Sequence, residues 1–514
     1  MSRVIGAALH GIDGLPVEVE VRLSSQLPRV DIVGLPEAAV RESVARVRAA
    51  LVSSGLPFPD RRVTVNLAPA SLRKSGAALD LPIAMAIAAE AGALEQERLE
   101  GVGFAGELAL DGRIRPVRGA LALALGMFGA GCTTVVMPAA SAAEACLAPG
   151  SDVRQASDLR CVLEAFTASR AVLARAEPPA AALGAGTSAP DLADVRGQER
   201  ARRALEVAAA GGHALLLRGP PGAGKTMLAR RLVGLLPPLS FTEALEATRV
   251  HGAAGRLAPG ASIVTERPMR APHHSASLAG LLGGGSPPRP GEVSLAHRGV
   301  LFLDELPEFE RRTLEALRQV LEERSVSVSR VHASCTFPAD FQLVAAANPC
   351  PCGWRHSRQR DCRCDDGALA RYRARLSGPL LDRIDLQVSM SGLTWRELDA
   401  RSNAPSSAAV RSRVLAARER QQQRLADSGV CLNAAIPDAS LEGLVAARPE
   451  ARALLGRAVE RLALSARAAR RVLRVARTIA DLRGGEDVAP ADVAEALGYR
   501  DDSAAPQPWS HPGR

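Results

Sequence analysis

Hydrophobic and polar positions divide the chain into three stretches with different periods. Up to about Phe166, strand-like and helix-like segments are mixed. Val17–Leu23 and Arg62–Leu67 alternate or run β-branched, which predicts strands. Leu81–Glu90 and Gly119–Phe128 are apolar segments that predict helices, and Thr133–Met137 predicts a short strand after the second. From about Val195 to Ser391 strand and helix signals alternate, as in a parallel α/β core. From Thr394 onward the chain is rich in Arg and Ala with a helical period, as over Leu462–Leu482. Glu177–Pro190 is rich in Ala, Pro, Gly and Ser and has no period, which predicts a linker. The polar, Pro-containing end, 501–514, is expected to be disordered. The expected organisation is a small α/β domain over 1–167, a linker over 168–194, an α/β core over 195–391, a helical domain over 392–500 and a tail. A length of 514 residues accommodates such a series, and no internal repeat is visible.

Composition changes this picture in three ways. Nearly half the residues are hydrophobic but aromatics are sparse, so the cores must be aliphatic. The longest apolar runs, such as Ala120–Phe128, fall short of a membrane span, and the N-terminus lacks a signal-peptide layout. A soluble cytoplasmic protein is expected. The formal net charge is +9, and all basic residues except Lys74 and Lys225 are arginine. Against that background, a lysine marks a site that wants a compact ammonium group rather than a planar fork.

Lys225 lies in such a site. Ala214–Leu217 predicts a short buried strand, followed by Gly219-Pro220-Pro221-Gly222-Ala223-Gly224-Lys225-Thr226 and then a helix. This is the phosphate-binding loop pattern in its strand–loop–helix context. Its glycines let backbone N–H groups turn toward phosphate oxygens, assisted by the helix N-terminus. Lys225 is expected to neutralise the β- and γ-phosphates of ATP, and the Thr226 hydroxyl to hold Mg²⁺. Val300-Leu-Phe-Leu-Asp304-Glu305 is an apolar strand ending in two acids. Asp304 is placed to hold the Mg²⁺ through water, and Glu305 to orient and deprotonate the attacking water. Phe341–Asn348 is a further strand ending in a polar residue, and Asn348 is the candidate sensor of the γ-phosphate or the lytic water. For the positive charge that hydrolysis needs, Arg383 in Leu380-Leu-Asp-Arg383-Ile-Asp385 is the candidate finger, acting on a neighbouring subunit's nucleotide. Arg373 and Arg375 compete for that role. Arg467 in the helical region is the candidate second sensor arginine.

The run from Arg270 to Asp385 resembles the magnesium-chelatase-like AAA+ family, specifically its ComM/YifB branch. The residues that carry the resemblance are Ala271-Pro-His273-His274-Ser-Ala-Ser, Gly283-Gly-Gly-Ser-Pro-Pro-Arg-Pro-Gly-Glu292, Asn348-Pro-Cys350-Pro-Cys352-Gly and Ser377-Gly-Pro-Leu-Leu-Asp-Arg383-Ile-Asp385. The likeness extends over nearly the whole chain. It implies an AAA+ P-loop core of parallel strands with a helical lid. It also implies a homohexameric motor on DNA that promotes branch migration, or helicase action, during homologous recombination in natural transformation. The N-terminal region resembles the Lon protease catalytic domain, of ribosomal S5-like fold. Lys74-Ser-Gly76-Ala-Ala78-Leu-Asp80 falls where that enzyme has its nucleophile loop, with Ala78 in the place of the serine. Leu121 and Leu123 occupy the region of its catalytic lysine. A serine–lysine dyad needs both groups, so proteolysis is not expected. Lys74 is expected to be structural or to contact a ligand.

Two other features bear on chemistry. Cys350-Pro-Cys352 and Cys362-Arg-Cys364 offer four thiolates for a structural Zn²⁺, with His356 as a substitute ligand. Four free thiols or a redox-sensitive pair are the alternatives. The other five of the nine cysteines are scattered, as in a reducing compartment. Met269–Glu292, with Arg270, His273, His274 and Arg289, and a predicted hairpin at Ser325–Phe337, with Arg330 and His332, are the candidate DNA-facing segments. His273 and His274 capping local structure is an equal alternative. The sequence therefore favours an ATP-driven, structure-selective motor on branched or single-stranded DNA. A remodeller of a protein partner, like the magnesium-chelatase motor subunit, is the second reading.

Overall fold

The computed structural model describes residues 1–74, 76–167, 172–179, 189–257, 261–330, 333–355, 357, 359–399 and 404–500. His332, His356 and the tail 501–514 lie outside the described residues, as does part of the expected linker. Two main sheets with helices packed on them make this an α/β protein.

The N-terminal sheet has seven strands, in the order Arg29–Val33, Arg62–Ala68, Asp13–Ser24, Ser2–His10, Val102–Phe104, Thr134–Pro138 and Asp152–Ala156. Strand alternation sends Val17, Val19, Val21, Val63, Val65 and Leu67 into one core, beneath helices Ala38–Ser53 and Asp80–Glu90. Val135 and Met137 point to the opposite face, toward helix Ala120–Gly129. Helix Asp80–Glu90 reads as apolar without a polar stripe because it is buried nearly all round. Its first residue, Asp80, is a buried carboxylate held by Arg46 through Nε (2.6 Å) and Nη2 (3.0 Å). Lys74 is fully buried and donates to the carbonyls of Gly34, at 3.0 Å, and Pro69. It ties three loop segments together, which is the structural role.

Helix Ala120–Gly129 meets the strand Asp13–Ser24 backbone to backbone. A Cβ on Gly126 would lie 2.1 Å from the carbonyl oxygen of Gly14. This close approach is why an alanine-rich segment carries glycine there.

The second sheet is parallel throughout, in the order Met269–Arg270, Val300–Leu303, Gln342–Ala347, Leu215–Arg218 and Leu386–Ser389. The strand that comes first in the chain, Leu215–Arg218, lies inside the sheet with later strands on both sides. The crevice at its C-terminal end is where such sheets bind ligands. Helices Ser407–Leu425, Pro449–Leu462, Ala466–Arg483 and Pro490–Gly498 share one continuous core with helices Glu199–Gly211 and Lys225–Leu235. A buried polar network joins the C-terminal helices. The fully buried Asp481 carboxylate accepts from Arg424 (2.7 and 2.8 Å), Arg477 (2.9 and 3.1 Å) and Asn433 (2.8 Å). His213, buried just before the strand Leu215–Arg218, lies 3.2 Å from Asp385 and 2.8 Å from Thr478, so it bridges sheet and helices. The predicted hairpin is present as Ser325–Arg330 paired with Ala333–Pro338. No helix among the described residues is long and apolar enough to cross a membrane.

The two sheets are not independent. Ile12, at the turn between the first two strands, joins the core that contains Val250, Cys335 and Phe337, and Asp13 pairs with Arg249. Glu144 is buried beside helix Phe241–Ala254, where a Cβ on Gly252 would lie 2.6 Å from its carboxylate. It accepts the N–H of Leu121 at 3.2 Å. Burial pushes its carboxyl group up to about 7, against an ordinary value of 4.5.

Two outcomes follow from this packing. Gly126→Ala is expected to lower stability by about 3 kcal/mol or more, because the clash is with backbone that cannot rotate away. An unchanged thermal midpoint would show that the helix can shift at no cost. For Glu144, the folded state retains a proton that the unfolded chain releases above about pH 4.5. The residue's contribution to stability therefore falls as pH rises from about 4.5 to about 7 and is level beyond. Glu144→Gln is expected to gain up to roughly 3 kcal/mol over the parent at pH 8 relative to pH 4. Urea unfolding at both pH values measures this, and a pH-independent difference would exclude Glu144 as the titrating group.

Candidate nucleotide site

The parallel sheet brings three strand ends together. Leu215–Arg218 runs between Gln342–Ala347 and Leu386–Ser389, and Val300–Leu303 lies beyond Gln342–Ala347. Gly219–Thr226, Asp304–Glu305 and Asn348 therefore all emerge at the same sheet edge. In the loop, Gly222 and Gly224 have φ of +78° and +90°, a conformation that glycine adopts without strain. The space in front of both is open. The helix Lys225–Leu235 starts at Lys225 itself, so its first N–H groups face the loop.

Lys225 is buried, and its Nζ donates to the carbonyls of Gly219 (2.7 Å) and Pro220 (3.0 Å) and to Asn348 Oδ1 (3.0 Å). These hydrogen-bond acceptors are neutral. Burial pushes the ammonium group's pKa down, while Asp304 and Glu305 act in the opposite direction from farther away. A buried cation held only by neutral oxygens fits a polyanion in the open loop. The Thr226 hydroxyl donates to Asp304 Oδ2 at 2.7 Å, and Asp304 Oδ1 accepts the N–H of Glu305 at 2.9 Å. A hydroxyl and a carboxylate side by side are hard oxygen ligands of the kind Mg²⁺ prefers. Glu305 has a left-handed backbone, φ +51°, and its half-exposed carboxylate lies 3.2 Å from His274 Nδ1.

That last contact is one the sequence did not signal. His273 and His274 stand on the candidate DNA-facing loop, and their rings lie 4.1 Å apart at a tilt of 34° while His274 meets the acid of the strand-end pair. His273 Nδ1 lies 2.7 Å from the Ser275 hydroxyl, so the pair does organise local structure. Arg270 is bound to Glu292 through Nε (2.6 Å) and Nη2 (2.9 Å), which closes the base of this insert. Arg289 is exposed on a small two-stranded turn with Gly283–Gly284. Gln198 also went unread. It has φ +52° and donates from Nε2 to the Ser391 carbonyl (2.7 Å) and the Ala223 carbonyl (3.2 Å), tying the loop to the segment that leads into the C-terminal helices.

The candidate arginines form a second group. Arg383 is largely buried, pairs with Glu322, and has its pKa lowered by burial and then by Arg471, Arg467 and Arg318. Arg467 is therefore in the same positive cluster. Arg318 shares Glu322 with Arg383, while Arg471 lies 3.7 Å from Asp385. Arg375 instead pairs with Glu308, just past the acidic pair. Arg373 is close enough to Arg218 to depress its pKa further, after burial.

The four cysteines converge. Their Sγ atoms all lie within 4.8 Å of one another, with Cys350–Cys352 at 3.4 Å and Cys362 at 3.7 Å from both. Four thiolates at about 2.3 Å from one Zn²⁺ stand about 3.8 Å apart, so the cluster fits a closed tetrahedral ion. The N–H groups of Arg355 and Cys352 donate to Cys350 Sγ (3.3 Å) and Cys364 Sγ (3.4 Å).

The whole chain has counterparts among known proteins. Family profiles described as magnesium chelatase subunit ChlI match residues 191–398 and 19–141, and one for the C-terminal part of that subunit matches 404–500. An uncharacterised protein of Mycobacterium tuberculosis is 45% identical over 512 residues, 98% of this chain and 99% of that one. YifB of Escherichia coli is 43% identical over 505 residues, 97% of each chain. Competence protein ComM of Haemophilus influenzae is 42% identical over 509 residues, again 97% of each. With matches of this extent at every level of the fold, the chain belongs to the magnesium-chelatase-like AAA+ family, within its ComM/YifB group.

Proposed function

We propose that this protein is an ATP-hydrolysing motor that works on DNA as a ring of six copies in the cytoplasm. The observation that carries the reading is the convergence of Lys225, Thr226, Asp304, Glu305 and Asn348 at one sheet edge. Mg²⁺·ATP supplies the phosphoanhydride to be cleaved and a divalent charge beside it. The loop Gly219, Pro220, Pro221, Gly222, Ala223 and Gly224 presents backbone N–H groups to phosphate oxygens. Lys225 exchanges its carbonyl partners for those oxygens, and Thr226 and Asp304 hold the metal. Glu305 takes the proton of the attacking water, and Asn348 orients that water or the terminal phosphate. Arg383 is offered to the nucleotide of the next subunit, which makes ring assembly a condition of turnover, and Arg467 acts as the second sensor.

DNA as the partner is supported by the exposed Arg289 turn and by the name of the Haemophilus relative, which ties that protein to competence. Branch migration or helicase action during recombination of incoming DNA is the activity that fits. The four cysteines are read as holding a structural Zn²⁺. The second reading, remodelling of a protein partner, draws on the chelatase subunit for which the matching profiles are named.

Two measurements bear on this. Glu305→Gln is expected to keep nucleotide affinity within about twofold while turnover falls by about a hundredfold or more, because it removes the base and leaves the loop intact. Lost affinity in that variant would exclude a purely chemical role for Glu305. Wild-type protein with ATP and Mg²⁺ is expected to resolve a labelled four-way DNA junction, and Glu305→Gln is not. Intact ATPase activity that neither responds to DNA nor resolves the junction would favour a protein substrate.

A further inference from the structure

The four-cysteine knuckle touches more than its own loop. Between Cys352 and Trp354, Gly353 has φ +82°, and its N–H donates to the Cys350 carbonyl at 2.9 Å. A Cβ on Gly353 would lie 2.7 Å from Cδ and 2.9 Å from Cγ of Pro221, and 3.9 Å from Cγ of Asn348. Gly353 therefore packs closely beside the proline ring in the middle of the phosphate-binding loop, with no space for a side chain on that side. Asn348, which holds the Lys225 ammonium, is only two residues before Cys350, itself fully buried. On the far side of the knuckle, Gln359 donates from Nε2 to the Leu393 carbonyl at 3.2 Å. The Gln359 amide also lies beside Gly392, 2.9 Å from where a Cβ there would stand. Asp365, next to Cys364, caps the helix Asp366–Ala374 by accepting the N–H of Ala368 at 2.6 Å.

One short segment thus abuts the phosphate loop, the sensor asparagine and the link to the C-terminal helices. The described residues from Pro349 to Cys364 contain no helix or strand, so no hydrogen-bond ladder stiffens them. A cross-link among the four sulfurs is what can hold such a segment in one shape.

We infer that the metal-organised cysteine knuckle is a wall of the nucleotide pocket, and that metal occupancy sets nucleotide affinity by holding Gly353 against Pro221 and fixing Asn348. This rests on the nucleotide and zinc readings proposed above. With the sulfurs joined through one Zn²⁺, the loop and the sensor are pre-positioned. Without the ion the segment gains conformational freedom, and nucleotide binding must order it again. The knuckle takes no part in the chemistry itself.

The test uses the full chain and reads zinc content by elemental analysis and affinity with a fluorescent ATP analogue and Mg²⁺. Wild type is expected to hold one Zn²⁺ per chain. The Cys362→Ser/Cys364→Ser variant is expected to lose it and to weaken analogue binding by about tenfold. Gly353→Ala keeps all four thiols, so it is expected to retain zinc yet weaken binding to a similar degree, since its methyl group displaces Pro221. That variant carries the test if the double variant does not fold. Zinc-free wild type, or analogue affinity within twofold of wild type in folded, metal-free double variant or in zinc-bound Gly353→Ala, overturns the inference. Wild type that binds no analogue at all would instead overturn the nucleotide reading, and this inference with it.

Discussion

The ammonium group of Lys225 is the point on which the architecture of the core converges. It is one of two lysines in the chain, and burying a cation is costly unless its donors are met. They are met by two loop carbonyls and by Asn348, which follows the neighbouring strand Gln342–Ala347. That arrangement requires the loop to fold back on itself, with glycine at the left-handed positions. It also requires the two strands to be adjacent, parallel and in register. Parallel pairing in turn demands crossover connections, and helices Glu199–Gly211 and Lys225–Leu235 pack on the sheet in one aliphatic core. The chemistry of one side chain thus depends on the topology of the sheet.

The C-terminal helices are bound to that core by a different kind of interaction. Their apolar surface merges with the core of the sheet, but the polar centre around Asp481 specifies how they fit. Two guanidinium groups and an amide surround this carboxylate, and a buried pair of this kind is valuable mainly because breaking it strands a charge. His213 extends the polar path to Asp385, two residues beyond Arg383. The base of the phosphate-loop strand, Asp385 and the helices therefore share one set of contacts.

The N-terminal sheet is joined to the core as well. Its first turn places Ile12 under the hairpin Ser325–Arg330/Ala333–Pro338, and His10 lies 3.4 Å from the Ser334 carbonyl of that hairpin. Lys74, which stands in a loop resembling that of a protease, donates to backbone carbonyls of two neighbouring loops at the end of its sheet. Burial pushes its pKa down.

Much was legible from the amino-acid order alone, because it depends on neighbours in the chain. The strands Arg62–Ala68 and Thr134–Pro138 and the apolar helices Asp80–Glu90 and Ala120–Gly129 are local patterns, found within a residue of their bounds. Asp13–Ser24, by contrast, begins four residues before its alternation shows, and the other four strands of the first sheet carry no such pattern. The four cysteines were likewise visible as two close pairs. What sequence could not supply were contacts between residues far apart that carry no distinctive spacing. His274 against Glu305, Gly353 against Pro221 and Gln198 against Ser391 are of this kind, since a histidine, a glycine or a glutamine occurs anywhere. The same holds for Arg383. Its number among many arginines says nothing of its partner, and only the folded chain reveals Glu322 beside it and Arg467 and Arg471 nearby. Period and spacing determine which elements form and where a phosphate-loop pattern falls. Which side chains face one another is decided by the three-dimensional packing, because that is where distant segments first share the same few ångströms.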